Sequence, residues 1–408
     1  MRKDLDHLML ERDLAAIIVT AGEHYSPQFD YLTRGVVMTH GFAVKKPGSD
    51  PILVAKEMEI EEAGATGLQA VPIHQLGLAE ILEATQGDQL RADAEIWARA
   101  LNMIEVSSGR IGVYGLAELN HTLAFTQVLS DVLNQYEFVG ESKNTIFDVA
   151  YETKDEDEIR RIRSVATRTN TVVRATRDFL SSHRADADET LRQADGTPLT
   201  IGDVKRFVRT RLIELDLEES NMIFAQGREG GYPHSRGTES VAIKMGEAIV
   251  FDLFPREVNG GYYHDMTRTW CIGYAPDEVR EAYNQVMKAF NIAVNDTGLG
   301  LTSRAQQAVQ SYFEDLGHAT LRTGAGTQEG YIHSLGHGLG LNVHENPYMR
   351  HTSTYEFKEG NVITIEPGLY YPSKGFGVRI EDTILIEKGG RLVTLTDVPK
   401  DLIVPLRG

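Results

Sequence analysis

Four carboxylates in the second half of the chain stand in stretches where water would be scarce. Asp252 follows Ala248-Ile249-Val250-Phe251, a run too apolar for a surface strand. Asp265 lies in Gly261-Tyr262-Tyr263-His264-Asp265-Met266-Thr267-Arg268-Thr269-Trp270, where two-residue alternation puts Tyr263, Asp265, Thr267 and Thr269 on one face. Glu366 closes Val362-Ile363-Thr364-Ile365 just before Pro367-Gly368. Glu381 shares a face with Arg379 and Thr383, opposite Val378 and Ile380. An ionised carboxylate in such a setting must be paired, hydrogen-bonded or metal-bound, because isolated burial costs many kcal/mol. Arg379 and Arg268 are available to one or two of the four. Ordinary salt bridges suffice for any one of these acids and fall short for all four together.

A fifth feature is the segment running from His333 through His337 to His344, punctuated by Gly336, Gly338 and Gly340. Three histidines so close together look arranged for close approach to a ligand. A lone histidine is more often a satisfied core residue, and a purely structural glycine-rich loop is the competing reading. A phosphate loop lacks support, since no strand-to-helix GxGxxG context surrounds these glycines. Oxygen-rich donor sets with one imidazole suit manganese, zinc, cobalt or iron better than copper or a thiolate-bound metal. Four carboxylates carry too much charge for one divalent ion, and two ions would balance them. Two metals ~3.5–4 Å apart share a water, lower its pKa towards ~7 and polarise a carbonyl oxygen. The expected reaction class is metal-assisted hydrolysis.

The elements that must position these residues are readable in outline. In the first third, Ala15 to Val19 is a short buried strand, and two apolar runs, 42–44 and 52–54, flank a Lys46-Pro47-Gly48-Ser49-Asp50 turn as a hairpin. Helical stretches are expected at Lys56–Ala65, Ala79–Glu83 and Leu119–Leu133, with strands at Val71–Ile73 and Ile111–Tyr114. This is an α/β pattern. Near Tyr151 to Glu158 the chain becomes a charge-dense joint, YETKDEDE, and a long helix follows from about Asp155 to Ser182. Its acidic first turn suits the positive end of the helix dipole. The spacing therefore predicts two domains, 1–150 and 151–408, the second mixing strands with helices at Pro276–Asn295 and Ser303–Leu316.

Composition narrows the partners. At 408 residues the chain exceeds one ordinary core, and 41% hydrophobic content supplies ample core material. A net charge of -18 argues against a nucleic acid or an anionic membrane as partner. A single cysteine, Cys271, allows neither an intrachain disulfide nor a thiolate zinc cluster. The start, MRKDLDHLMLERD, is charged throughout and lacks the apolar core of a signal peptide, and no stretch approaches the ~18 apolar residues of a membrane span. A cytoplasmic location is expected.

The order Asp252, Asp265, His337, Glu366, Glu381 resembles the five-ligand signature of the pita-bread metallopeptidases, the group of prolidase, aminopeptidase P and methionine aminopeptidase. The surrounding words match: DMTRT, GHGLGLNVHE, IEPGLYY and VRIEDT. The likeness covers roughly residues 150–408. The preceding α/β domain looks like the N-terminal domain of creatinase, prolidase and aminopeptidase P, which methionine aminopeptidases usually lack. The resemblance implies an N-terminal creatinase-like α/β domain followed by a pita-bread catalytic domain, two divalent ions with manganese ahead of cobalt, zinc or iron, and cleavage of the bond preceding proline. It implies that Asp252 and Asp265 hold one metal, that His337 and Glu366 hold the other, and that Asp265 and Glu381 bridge. It gives Glu366 a proton-relay role, makes His344 and His234 substrate-facing, places His333 at the proline pocket or under its loop, and has Arg379 steady Glu381 or an outer acid. It further implies a homodimer acting on proline-containing peptides. One departure is LFPREVNGGYYH between the two aspartates, slightly longer than the family's tight hairpin, which a wider turn at Asn259-Gly260-Gly261 would absorb.

The rival readings are a creatinase-like hydrolase without metals, another metal-dependent hydrolase or lyase on the same scaffold, and a binding protein that has lost catalysis. Creatinase-like chains replace several ligand positions, and all five are present here. Dipeptidase and aminopeptidase activity are not separable from the residues.

Overall fold

Asp155 closes the polar joint and starts the longest helix, Glu156–Ser181. Its carboxylate accepts the Glu158 amide at 2.9 Å while Glu158 Oε2 accepts the Asp155 amide at 2.9 Å. This reciprocal pair satisfies two donors that no helical carbonyl reaches. Glu158 Oε1 also accepts the Tyr262 hydroxyl at 2.7 Å, so this acid is buried with both oxygens engaged.

The computed structural model describes residues 3–219, 221–324 and 326–407. They divide into two compact units, Met1–Ala150 with Asn259–Gly261, and Tyr151–Val258 with Tyr262–Gly408. Among the described residues no helix is long and apolar enough to cross a membrane.

The first unit is a six-stranded mixed sheet in the spatial order 69–72, 52–55, 41–45, 16–20, 109–114, 136–139. The hairpin of Gly41–Lys45 and Ile52–Ala55 is antiparallel, whereas Gly109–Tyr114 runs parallel to Ala16–Thr20. Elements beyond the sequence reading include the strand Tyr136–Val139 and the helices Lys3–Glu11, Pro27–Thr33, Gln89–Met103 and Ile146–Tyr151, of which Gln89–Met103 is the longest. Much of the buried stripe of Gln89–Met103 is alanine (Ala92, Ala94, Ala98 and Ala100), too short a side chain to mark an apolar face strongly.

In the second unit, alternation along the strands sorts residues between two cores. Ala248–Leu253 pairs antiparallel with both Ile223–Gln226 and Met266–Ile272. Ile249, Phe251, Leu253, Met266, Trp270 and Ile272 enter a core with Val165, Val172, Val204 and Val208 of the helices Glu156–Ser181 and Ile201–Glu214. A second core joins Ile363, Ile365, Val378, Ile380 and Ile384 to the helices Asp277–Asp296 and Thr302–Asp315. The residues between, at one-position offsets, are left to face elsewhere. They include Asp252, Thr267, Thr364, Arg379 and Glu381. A one-residue register slip would exchange the two sets, so the core residues fix where the acids point.

Two strand readings need adjustment. The run 378–384 is broken into Phe376–Arg379 and Asp382–Ile386, with Glu381 at the break bridged to Thr267. Between the aspartates, Arg256–Glu257 stays bonded across the hairpin to Tyr263 and Tyr262 and also pairs with Leu217–Glu218, and Asn259, Gly260 and Gly261 all adopt positive φ. The extra length is thus used by a side pairing and a wide turn, and Asp252 sits opposite Thr267 rather than Asp265.

Removal of the helix cap tests this account. Asp155→Ala should cost about 1 kcal/mol, roughly 2–4 °C in Tm for a unit of this size. Asp157→Ala, in the same turn but without a capping bond, should cost much less; equal losses in calorimetry would contradict the capping role.

Candidate metal centre

One cavity of about 580 Å³ is lined by Asp252, Asp265, Glu366 and Glu381 together with His234, His333, His337, His344 and Arg379. Every residue singled out from the sequence for chemistry meets there. Asp265, His337 and Glu381 each offer a ligand atom within 4.8 Å of the others. His337 Nε2 lies 3.5 Å from Glu366 Oε1 and 3.8 Å from Asp265 Oδ2. Its Nδ1 is 3.0 Å from the Gly338 carbonyl oxygen. A carbonyl only accepts, so the ring proton sits on Nδ1 and the Nε2 lone pair is aimed at the carboxylates. Burial, reinforced by the neighbouring His344, holds His337 neutral, with its pKa lowered to about 3.

Crowding of like charge dominates the electrostatics. Burial pushes the Asp265 carboxyl well above its usual range, and Glu381, Asp252 and Glu366 push it further. Glu381 is raised well above its ordinary value by burial first, then by Glu366 and Asp252. Glu366 is pushed up to about 8, mainly by burial, against the pull of Arg379. Asp252 Oδ1 and Asp265 Oδ1 are buried and have no hydrogen-bond partner among the described residues. Orphaned carboxylate oxygens beside a neutral imidazole are what a site for hard or borderline divalent cations supplies. The donor set fits such ions.

Arg379 pairs with one of the four acids, Asp252. Its Nη2 meets Asp252 Oδ2 at 2.5 Å, and its Nε donates to Thr267 Oγ1 at 3.0 Å. Thr267 in turn donates to Glu381 Oε2 at 2.8 Å, so Arg379 reaches Glu381 only through a threonine. Arg268 pairs with none of the four acids. It binds Asp382 Oδ1 at 2.9 Å and the carbonyl of Glu381 at 2.9 Å. His333 has both ring nitrogens engaged, with the Ser334 carbonyl at 2.7 Å and the Tyr370 hydroxyl at 2.9 Å. Only its carbons are left to meet a ligand. His344 and His234 are exposed to the cavity.

The glycine spacing has a steric cause. A Cβ on Gly338 would stand 2.1 Å from the Asn346 carbonyl oxygen, because residues 338 and 345 pair backbone to backbone. The loop is glycine-rich to fold on itself, not to cradle phosphate. Residues without a warning in the sequence also line the cavity: Arg236, Phe254, Tyr348 and Arg350. Tyr370, which accepts from Arg379 Nη1 at 2.9 Å, lay inside the quoted GLYY run but carried no mark of a role.

Residues 160–388 match the model of metallopeptidase family M24. The chain belongs to this family. An Xaa-Pro dipeptidase of Pyrococcus furiosus is 36% identical over 177 residues, 43% of this chain and 47% of that protein. The chain spans about half the length of these curated relatives, which include an Xaa-Pro dipeptidase of Pyrococcus horikoshii. Among solved structures, prolidase from Pyrococcus furiosus superposes with a TM-score of 0.73 at 22% identity, covering 97% of this chain and 99% of that one. X-Pro aminopeptidase from Thermotoga maritima gives 0.76 at 20% identity, covering 96% and 98%. At such identities these two likenesses establish the pita-bread fold. M24 membership implies divalent metal ions, in keeping with the donor set.

A pH prediction follows from the crowding. The raised carboxyl groups hold protons in the ion-free folded chain that the unfolded chain releases near pH 4. Their stabilising contribution is therefore complete below that pH and lost as pH rises towards about 8, the value for Glu366. Below about pH 6.5 the buried neutral His337 works in the opposite direction, so the ion-free protein should lose Tm from there to about pH 8, and a saturating divalent ion should flatten the loss. Binding at pH 7 should release protons, measurable by titration calorimetry in buffers of different ionisation enthalpy. Binding without proton release would contradict the account.

Proposed function

We propose that this M24 chain hydrolyses the peptide bond preceding proline, with two divalent ions held by Asp252, Asp265, His337, Glu366 and Glu381. The observation that carries the reading is the convergence of these five residues on one cavity with exposed histidines at its wall. When bound, the ions would supply a water of lowered pKa and a polarised carbonyl.

The chain's own groups would do the rest. Glu366 takes a proton from the attacking water and returns it to the departing proline nitrogen. A tertiary amide nitrogen has no proton of its own, so the leaving group depends on this delivery. His344 donates to the carbonyl oxygen as negative charge develops on it. His234 lines the same cavity and contacts the substrate near the scissile bond. Arg379 fixes the Asp252 carboxylate by occupying one oxygen and leaving the other for a cation. His333 supports the wall of the proline pocket through Tyr370. Arg236 and Arg350 offer partners for a peptide carboxylate. The same reading takes manganese as the ion, a homodimer as the working form and the cytoplasm as the location, with residues 1–150 as a creatinase-like domain and 151–408 as the catalytic one.

The test is an assay of a Gly-Pro dipeptide and a longer Arg-Pro-Pro peptide after chelation, with manganese, cobalt or zinc restored. Cleavage before proline should vanish on chelation and return with metal. Undiminished activity in the chelated protein would refute the proposal. Asp265→Ala and Glu381→Ala should abolish both metal loading and turnover, while His344→Ala should keep the metal and lower kcat about 10²–10³-fold.

A further inference from the structure

Lys154 stands in the joint whose charges would ordinarily be solvated, and Glu345 directly follows His344. Both are buried, with side chains 1% and 3% exposed, and Lys154 Nζ lies 2.8 Å from Glu345 Oε2. A buried ion pair is seldom the most stabilising choice, since well-packed apolar residues often do as well. What this pair does is hold a loop. Lys154 Nζ also donates to the Tyr151 carbonyl at 2.5 Å, and its backbone amide donates to Gly360 at 2.9 Å. The lysine is therefore anchored before it reaches the glutamate. Glu345 Oε1 accepts the Asn342 amide at 2.9 Å, and its backbone exchanges bonds of 3.0 and 2.9 Å with Gly338. Gly340 leaves the space: a Cβ there would lie 2.5 Å from Glu345 Oε2 and 2.9 Å from Lys154 Cε.

The loop so clamped has His337 at one end and His344 at the other. The two rings meet edge to face, with centroids 4.4 Å apart and planes at 76°. Among the described residues no hydrogen bond holds the His344 ring, so its place is set by the backbone that carries it. That backbone is tied down one residue later, at Glu345.

We propose that Lys154 and Glu345 are positioning residues that aim the His344 imidazole into the cavity. The inference rests on the reading of His344 as a substrate-contacting group. Neither residue touches substrate; each acts through His344.

The experiment compares the parent, Lys154→Met, Glu345→Gln and the double variant, all loaded with manganese. The single variants should lose Tm, because each leaves a buried group without its partner. The double variant should recover most of that Tm, yet its kcat for a proline peptide should stay about 100-fold down, with unchanged metal content. A purely structural pair predicts the opposite, kcat returning with Tm; that result, or kcat within twofold of the parent in any folded variant, would overturn the proposal. If a single variant fails to fold, the double variant carries the test alone. Crystal structures of parent and double variant give a readout independent of turnover. The His337–His344 ring contact should be lost, and its persistence would refute the positioning role. If the parent cleaves no proline peptide, the peptidase reading fails, and the crystal comparison still judges this one.

Discussion

Mutual repulsion among buried acids is the constraint on which the rest of the second unit depends. Asp265 and Glu381 are almost fully enclosed, Asp252 nearly so, and Glu366 stands beside them. Without a counter-charge the folded chain can hold them only by keeping protons on them, which is why burial and neighbours together drive Asp265 and Glu381 upward. Arg379 relieves one oxygen of Asp252, and Thr267 relieves one of Glu381. Among the described residues, Asp252 Oδ1 and Asp265 Oδ1 have no such partner. A fold that accepts this strain has to recover it from elsewhere, and the two apolar cores on either side are the source.

The arrangement is built from ordinary strand geometry. Odd and even positions on Ala248–Leu253 and Met266–Ile272 are committed to opposite faces by Ile249, Phe251, Trp270 and Ile272. The acids have no choice of direction once those side chains are buried. On the other wall, Ile363, Ile365, Val378 and Ile380 act in the same way for Glu366, Arg379 and Glu381. Arg268 completes the frame from behind, holding Asp382 and the Glu381 carbonyl in a site with no exposure. The layer that carries the acids is backed by packed apolar cores on both sides.

Much of this was legible in the residues, because carboxylates in apolar alternating runs violate burial rules and so stand out. The long helix was legible for a similar reason: its acidic cap and apolar stripe agree with each other. The helix Gln89–Met103 was not, since alanines make a weak stripe. The partner of Arg379 was not legible either. Spacing places Arg379 and Glu381 on one face, but only the cross-strand register puts Thr267 between them and Asp252 within reach. Lys154 illustrates the same limit. A lysine in a run of acids looks solvated until a loop almost two hundred positions away closes over it.

The central claim is that paired cations, not protons, neutralise the acid cluster in the working protein. Anomalous diffraction from crystals grown with excess manganese measures this directly. The account predicts two peaks ~3.5–4 Å apart within the cavity, in contact with Asp252, Asp265, His337, Glu366 and Glu381. A cavity without anomalous density, or a lone ion bound outside reach of these five side chains, would contradict it.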